Sequence, residues 1–285
     1  MRGSDLLRLV TAELTAAGTS APRSEARWLL QHLYGLSPAG LLLAVDLPDI
    51  DEHRATLIAR RRRGIPLQHL LGISSFRHLD LEVGPGVFLP RPETEHLIDL
   101  AAVDLRAADV VVDLCAGSGA IALAVANEFS PRQVFAVERS ESALSWLRRN
   151  VAARLAAGDR PVTVIAADIS DPSVLTALDC TVAVVLANPP YVPERLRGQL
   201  PVEVGYDPEE AVFSGPDGLE LMPAVIATAA RLLREGGLFV TEHDESHAPQ
   251  LGELLESSGR WHEVRGRNDL TGRPRFVTAR RSGLR

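Results

Sequence analysis

The sequence predicts an α/β fold, a mostly parallel sheet with helices on both faces, behind a small N-terminal helical bundle. Three observations carry this reading. From Val110 onward short apolar strands alternate with helical segments, the pattern that arises when each crossover returns over a parallel sheet. The first of those strands runs into a loop punctuated by glycines. The first seventy or so residues, by contrast, show helical periodicity alone. A length of 285 residues leaves room for one large domain or two unequal ones.

Leu6, Leu7, Leu9, Val10 and Leu14 recur at helical intervals, and after Gly18 and Pro22 the run from Ser24 to Leu33 puts Ala26, Leu29, Leu30 and Leu33 on one face. A third helix is predicted from about Asp51 to Arg63, stopped by Gly64 and Pro66. Its end carries Arg60, Arg61, Arg62 and Arg63, read either as cations suited to a helix C-terminus or as a surface for an anionic partner. Strict alternation from His78 to Val83, a turn at Gly84-Pro85-Gly86 and the apolar Val87 to Leu89 predict a β-hairpin. A helix over Thr94 to Leu105 follows. Strands are then predicted at Val110–Leu114, Val134–Val137, Val162–Ile165, Val182–Leu186 and Leu238–Thr241, with helices at Ala120–Asn127, Glu141–Leu155 and Pro223–Leu233. An antiparallel pair around Glu263–Arg265 and Arg275–Ala279 closes the chain. The expected division is a helical domain over 1–72, a hairpin linker over 73–90 and an α/β domain over 91–285.

Composition narrows the chemistry. Hydrophobic residues make up 46% and charged residues 24%, and no apolar run approaches the roughly 18 residues of a membrane span, so an ordinary globular protein is expected. All 30 basic residues are Arg, which removes every mechanism that needs a lysine nucleophile, Schiff base or phosphate-binding lysine. Two cysteines, Cys115 and Cys180, are too few for a disulfide framework or a cysteine zinc site, and no metal is expected. Met1 to Val10 lacks the apolar core and cleavage site of a secretory signal, so a reducing, cytoplasmic setting is expected. The net charge of −7 is uneven: residues 91–259 carry 12 Arg against 26 acidic residues, whereas 260–285 carry 8 Arg against 2. An acidic middle opposes direct nucleic-acid binding.

The first strand continues into Asp113-Leu-Cys115-Ala116-Gly117-Ser-Gly119. Two glycines let the backbone turn sharply into a helix N-terminus and let a ligand lie against the bare chain. The third glycine of a dinucleotide fingerprint is replaced by Ala122, so this loop alone is a weak signal. Glu138, at the end of the second strand, is placed to accept hydrogen bonds from ribose hydroxyls. Asp113 would repel a pyrophosphate but suits a cationic ligand, which favours S-adenosylmethionine over NAD. Asp168 is read as an acceptor for an adenine amino group, or as a turn cap, and Cys115 as a packing residue of the loop.

The strand ending at Ala187 gives way to Asn188-Pro189-Pro190-Tyr191. Two prolines cannot continue a sheet, so they fix a rigid loop at its carboxyl end. The Asn188 side-chain oxygen and the Pro189 carbonyl can accept both hydrogens of one planar NH₂ group, with the Tyr191 ring over its face. A delocalised nitrogen is a poor nucleophile, and two fixed acceptors hold it and favour its pyramidal form. No basic side chain is needed before transfer.

With Pro66 to Gly72, Phe88-Leu-Pro90-Arg91-Pro92-Glu93-Thr94-Glu95, Asp113 to Ala122, Ala187 to Tyr191, Glu209 to Gly218, Glu235-Gly-Gly237, Glu242-His243 and Asp269 to Arg273, nearly the whole chain resembles the protein-(glutamine-N5) methyltransferases of the HemK/PrmC type, the release factor glutamine methyltransferases. The resemblance implies a seven-stranded class I S-adenosylmethionine-dependent methyltransferase (Rossmann-like) domain behind a helical domain that recognises substrate. It implies S-adenosylhomocysteine as product and, as protein substrate, class 1 peptide chain release factors, methylated on the glutamine of their Gly-Gly-Gln loop. Carried over by motif, Asn188, Pro189 and Tyr191 are catalytic; Asp113, Cys115, Ala116, Gly117, Gly119, Glu138, Asp168 and Asn188 bind cofactor; Arg91, Pro92, Glu93 and Pro190 join Asn188, Pro189 and Tyr191 against substrate. Two departures stand out. Ala187 replaces the usual Ser, and Asp244 replaces the Gly that usually follows Glu242-His243, so His243 is expected to be a hydrogen-bonded strand-end residue. The sister activity on a ribosomal-protein glutamine and an amino-methyltransferase acting on nucleic-acid bases are the competing readings; a non-enzymatic adenosylmethionine-binding protein fits the intact acceptor loop least.

Overall fold

The computed structural model describes residues 1–48, 51–106 and 109–283. Chain contacts divide it into two compact units, one comprising Met1–Ile73 with Pro201–Tyr206 and the other Ser74–Leu200 with Asp207–Arg285.

The first unit is built from α1 (Gly3–Ala16), α2 (Pro22–Tyr34), α3 (Pro38–Leu43), α4 (Asp51–Arg62) and α5 (Leu67–Leu71). Pro22 opens α2, where its missing N–H is no loss, and Gly35 ends it in the left-handed conformation. Leu6, Val10, Leu14, Ala26, Leu29, Leu30, Leu41, Ile58 and Leu67 form its core. The run of four arginines does not act as one surface. Arg60, Arg62 and Arg63 are exposed, but Arg61 turns inward and binds Glu25 of α2 through Nε at 2.7 Å and Nη2 at 3.0 Å. The same Nη2 reaches Glu203 of the Pro201–Tyr206 segment at 2.5 Å, and Tyr206 Oη donates to the Arg63 carbonyl at 2.9 Å.

In the second unit, β1 (Ile73–Phe76) and β2 (Leu79–Glu82) form a hairpin. Its turn is Arg77-His78, earlier than the glycine-rich turn expected, and Val87–Leu89 forms no strand. Arg77 accounts for the shift: in the left-handed region at φ 51, it is held by Glu128 through Nε (2.5 Å) and Nη2 (2.7 Å) and by Asp99 (2.8 Å). Val83, Val87 and Leu89 pack instead on Ala143 and Trp146. Then come α6 (Glu95–Ala101), β3 (Val110–Leu114), α7 (Ala120–Phe129), β4 (Gln133–Glu138), α8 (Glu141–Ala156), β5 (Val162–Ala166), β6 (Val182–Ala187), α9 (Glu209–Val212), α10 (Met222–Leu232), β7 (Leu233–Glu242), α11 (Ala248–Ser257), β8 (Trp261–Asn268) and β9 (Pro274–Arg281).

The seven strands run β5-β4-β3-β6-β7-β9-β8. β3 to β7 are mutually parallel; β9 runs antiparallel to both β7 and β8, so it is the one reversed strand of the seven. β3 and β6 are apolar and buried at nearly every position because helices cover both faces, one core lying under α7 and α8 and the other under α10 and α11. Strand order reverses between β3 and β6. Ligands of open α/β sheets bind in the crevice at the carboxyl ends of such a pair.

Candidate active site

The loop leaving β3 holds three residues in the left-handed region, Cys115 (φ 64), Gly117 (φ 55) and Gly119 (φ 88). The two glycines are needed for different reasons. A Cβ on Gly119 would lie 2.5 Å from Leu147 Cδ1, so this glycine lets α7 close on α8; a Cβ on Gly117 would meet nothing within 4 Å, so bare backbone faces open space. Gly119→Ala is therefore expected to cost about 2–3 kcal/mol, combining left-handed strain with core overpacking, measurable as a lowered urea midpoint.

Glu138 braces this loop from β4. Its Oε2 accepts from the Gly117 N–H and its Oε1 from the N–H groups of Arg139 and Ser140, all at 2.8 Å. Ala116 N–H is held by the Val137 carbonyl at 2.9 Å. Asp113 is fully buried and faces α7: Oδ2 accepts from Ala122 N–H at 3.1 Å, Oδ1 has no hydrogen-bond partner, and burial pushes the carboxyl well up. Burial likewise raises the Cys115 thiol, with Glu138 and Asp113 adding to the effect, so it stays protonated and packs against the core under β3. Asp168 accepts from Ser170 N–H (2.9 Å) and Oγ (2.7 Å) and pairs with Arg139 (3.2 Å); the Ser170 bonds hold it below its ordinary range. With Arg139, Ser140 and Ala166 it lines an open cleft of about 400 Å³ at the carboxyl ends of β4 and β5. A larger hollow of about 680 Å³, lined by Cys180, Thr228 and Arg281, lies toward the amino end of β6 and includes none of Asp113, Gly117, Glu138 and Asp168.

The acceptor loop starts where β6 ends. Asn188 donates from Nδ2 to Thr94 Oγ1 at 3.1 Å, Thr94 Oγ1 donates to Glu242 Oε2 at 2.7 Å, and Tyr191 Oη donates to Glu242 Oε1 at 2.7 Å. Asn188 Oδ1 takes no hydrogen bond from the described residues. Beyond the prolines, Val192 bridges to Phe213, and the turn Gly215 to Gly218 packs beneath: a Cβ on Gly218 would lie 2.3 Å from the Tyr191 carbonyl. Of the segment before α6, Pro92 and Glu93 are exposed. Arg91 is engaged by Asp207, which also accepts from Leu89 N–H at 3.0 Å, and stacks 4.9 Å over the Phe88 ring.

Two family models match the chain, the PrmC N-terminal domain over residues 5–72 and the methyltransferase small domain over 92–199. The release factor glutamine methyltransferase of Mycolicibacterium smegmatis is 45% identical over 279 residues, which span 96% of each chain. That of Streptomyces coelicolor is 43% identical over 95% of each, and that of Deinococcus radiodurans 36% identical over 99% of this chain and 100% of its own. The chain belongs to the release factor glutamine methyltransferase family. Its fold is that of a class I methyltransferase behind a helical region.

Within this family member, sequence reasoning missed three participants. Thr94, Glu242 and Gly218 stand in the sequence only as members of longer motifs, with nothing that assigns each a role. His243 is buried, with Nδ1 2.7 Å from the Asp244 carbonyl and its basicity lowered by burial, a hydrogen-bonded strand-end residue. Arg91 is tied into the scaffold by Asp207.

Proposed function

We propose that this enzyme transfers a methyl group from S-adenosylmethionine to the side-chain nitrogen (N5) of the glutamine in the Gly-Gly-Gln loop of class 1 peptide chain release factors. The observation that carries the reading is the Asn188 amide: its NH₂ is held by Thr94, which leaves Oδ1, on the residue preceding Pro189 and its carbonyl, without a hydrogen bond from the described residues. Those two acceptors match the two hydrogens of a primary amide. The names of the relatives supply the release factor.

The cofactor fits the chain's own groups. Gly117 leaves open backbone, Glu138 keeps a lone pair on Oε2 for a ribose hydroxyl, and Asp168 borders the cleft at β4 and β5. When bound, S-adenosylmethionine supplies an electrophilic methyl on a sulfonium. Asn188 Oδ1 and the Pro189 carbonyl then hold both amide hydrogens and turn the nitrogen lone pair out of conjugation, toward the methyl carbon. Tyr191, fixed through its hydroxyl, covers the amide face. One held proton leaves to water after the nitrogen has gained its fourth bond, so neither a lysine nor a metal is required. An acidic catalytic middle suits a protein substrate better than a nucleic acid, and a translation-factor substrate favours a cytoplasmic setting. No described helix is long and apolar enough to cross a membrane.

Full-length protein with methyl-labelled S-adenosylmethionine is expected to label a release factor and not its Gln→Ala variant at the Gly-Gly-Gln loop. Label retained on the variant, or found only on RNA or a ribosomal protein, overturns the reading.

A further inference from the structure

We propose that Glu242 is a positioning residue that, acting through Thr94, sets which end of the Asn188 amide faces the substrate and at the same time fixes the Tyr191 ring. The inference rests on the acceptor role proposed for Asn188.

The geometry begins with the sheet. β6 and β7 are parallel neighbours with Ala187 paired to Thr241, so Asn188 and Glu242 leave the same edge side by side. Thr94 comes in from the 3-10 turn Pro92–Thr94, and Thr94 and Glu242 are only 4% and 2% exposed. Both are therefore out of reach of bulk water.

The logic is one of counting hydrogens. A threonine hydroxyl has a single hydrogen, and Glu242 takes it at 2.7 Å. Only lone pairs remain on the side of Asn188, so only the NH₂ of the amide can sit there, and it does at 3.1 Å. Oδ1 is then obliged to face the acceptor side. Were the Thr94 hydrogen free to point at Asn188, the amide would turn over and present NH₂ to the substrate's NH₂, donor against donor. A carboxylate suits the role because it accepts only: its second oxygen takes the Tyr191 hydroxyl at 2.7 Å. A neutral carboxylic acid or an amide has a donor on one oxygen or nitrogen and cannot take both hydrogens.

The charges facing Glu242 are Arg275 of β9, which favours the carboxylate, and Glu93, which opposes it; Asp244 lies nearer Tyr191. Burial is the largest influence and raises Glu242 above its ordinary value. Activity is therefore expected to fall on the acid side as Glu242 takes up a proton and the relay reverses.

The test uses the full-length enzyme with a release factor substrate. Glu242→Gln and Thr94→Val are each expected to lower kcat about 10–100-fold, as losses of groups that orient a ligating side chain do, with KM and cofactor affinity little changed. Thr94→Ser restores the hydroxyl and recovers most of the loss. The acid limb of the wild-type kcat profile disappears in Glu242→Gln. Because both changes break one relay, the double variant is no worse than either single one. Unchanged kcat in Thr94→Val, or an acid limb that persists in a folded Glu242→Gln, overturns the proposal; the wild-type profile, which must show the limb, needs no variant. If Asn188→Ala is itself active, the acceptor reading fails, whereas an inactive Asn188→Ala beside an active Thr94→Val sinks the relay alone.

Discussion

Asn188→Ala is expected to lower kcat by about 10²–10³-fold, the cost of removing one preorganised group that acts at the reacting atom, while isothermal titration shows cofactor affinity unchanged. The split follows from position. Asn188 lies at the end of β6 and bonds Thr94, whereas the open backbone at Gly117 and the carboxylate of Glu138 belong to β3 and β4. Losing the side chain removes one of two acceptors from the nitrogen and leaves the cofactor loop intact. Asn188→Asp gives a sharper check. It keeps an oxygen toward the acceptor but sets its other oxygen against the lone pairs of Thr94, whose hydrogen is committed to Glu242. The aspartate variant is therefore expected to be nearly as impaired as the alanine variant. Wild-type-like turnover in Asn188→Asp would mean that the Nδ2 contact has no part in placing the oxygen, and lost cofactor affinity in Asn188→Ala would show that the cofactor contact implied by the resemblance, and not the acceptor role, sets the loss.

What could be read without coordinates follows the range of the interactions involved. The predicted and observed bounds of β3 coincide because five consecutive positions are buried, so Val110, Val111 and Val112 form an unbroken apolar run. The helices α3 and α5 escaped notice because six and five residues make too few turns to show a period, and α11 because Pro249 and Gly252 break its signal. The hairpin was displaced because Gly84 and Gly86 advertise a turn, whereas the real one at Arg77 depends on Glu128, 51 residues away. The site divides in the same way. Gly117, Gly119 and Glu138 announce themselves locally, since a strand, a bare loop and an acid at the next strand end follow one another. The relay through Thr94 joins residues 94 and 148 positions apart, so the Glu242-His243 motif marks the acid but gives no sign of the hydroxyl it holds. Arg61 shows the converse: four equal letters in a row hide one inward side chain among three exposed ones.

Arg61→Ala is expected to destabilise the helical unit by about 3–5 kcal/mol, the range for breaking a buried ion pair from one side, seen as loss of the less stable transition in urea unfolding of the full chain. Arg61 is 7% exposed and Glu25 8%, so removing the guanidinium strands a carboxylate where water cannot solvate it. Glu203, held by the same Nη2, is then left beside Glu25 as an uncompensated like charge, and the Pro201–Tyr206 segment loses its ion pair while keeping the Tyr206 bond to Arg63 and the packing of Val202 against Gly64. The loss falls on a small core, since unit-size limits leave such a bundle little surplus stability. Attraction between the charges is not what makes the pair matter. Replacing all three with apolar groups of similar volume, as in Arg61→Met with Glu25→Leu and Glu203→Leu, removes the desolvation cost together with the attraction and is expected to return stability close to that of the parent. A single variant as stable as the parent would show that Glu25 reaches water after all; a triple variant as unstable as the single one would show that hydrogen bonding, and not the stranded charge, sets the cost.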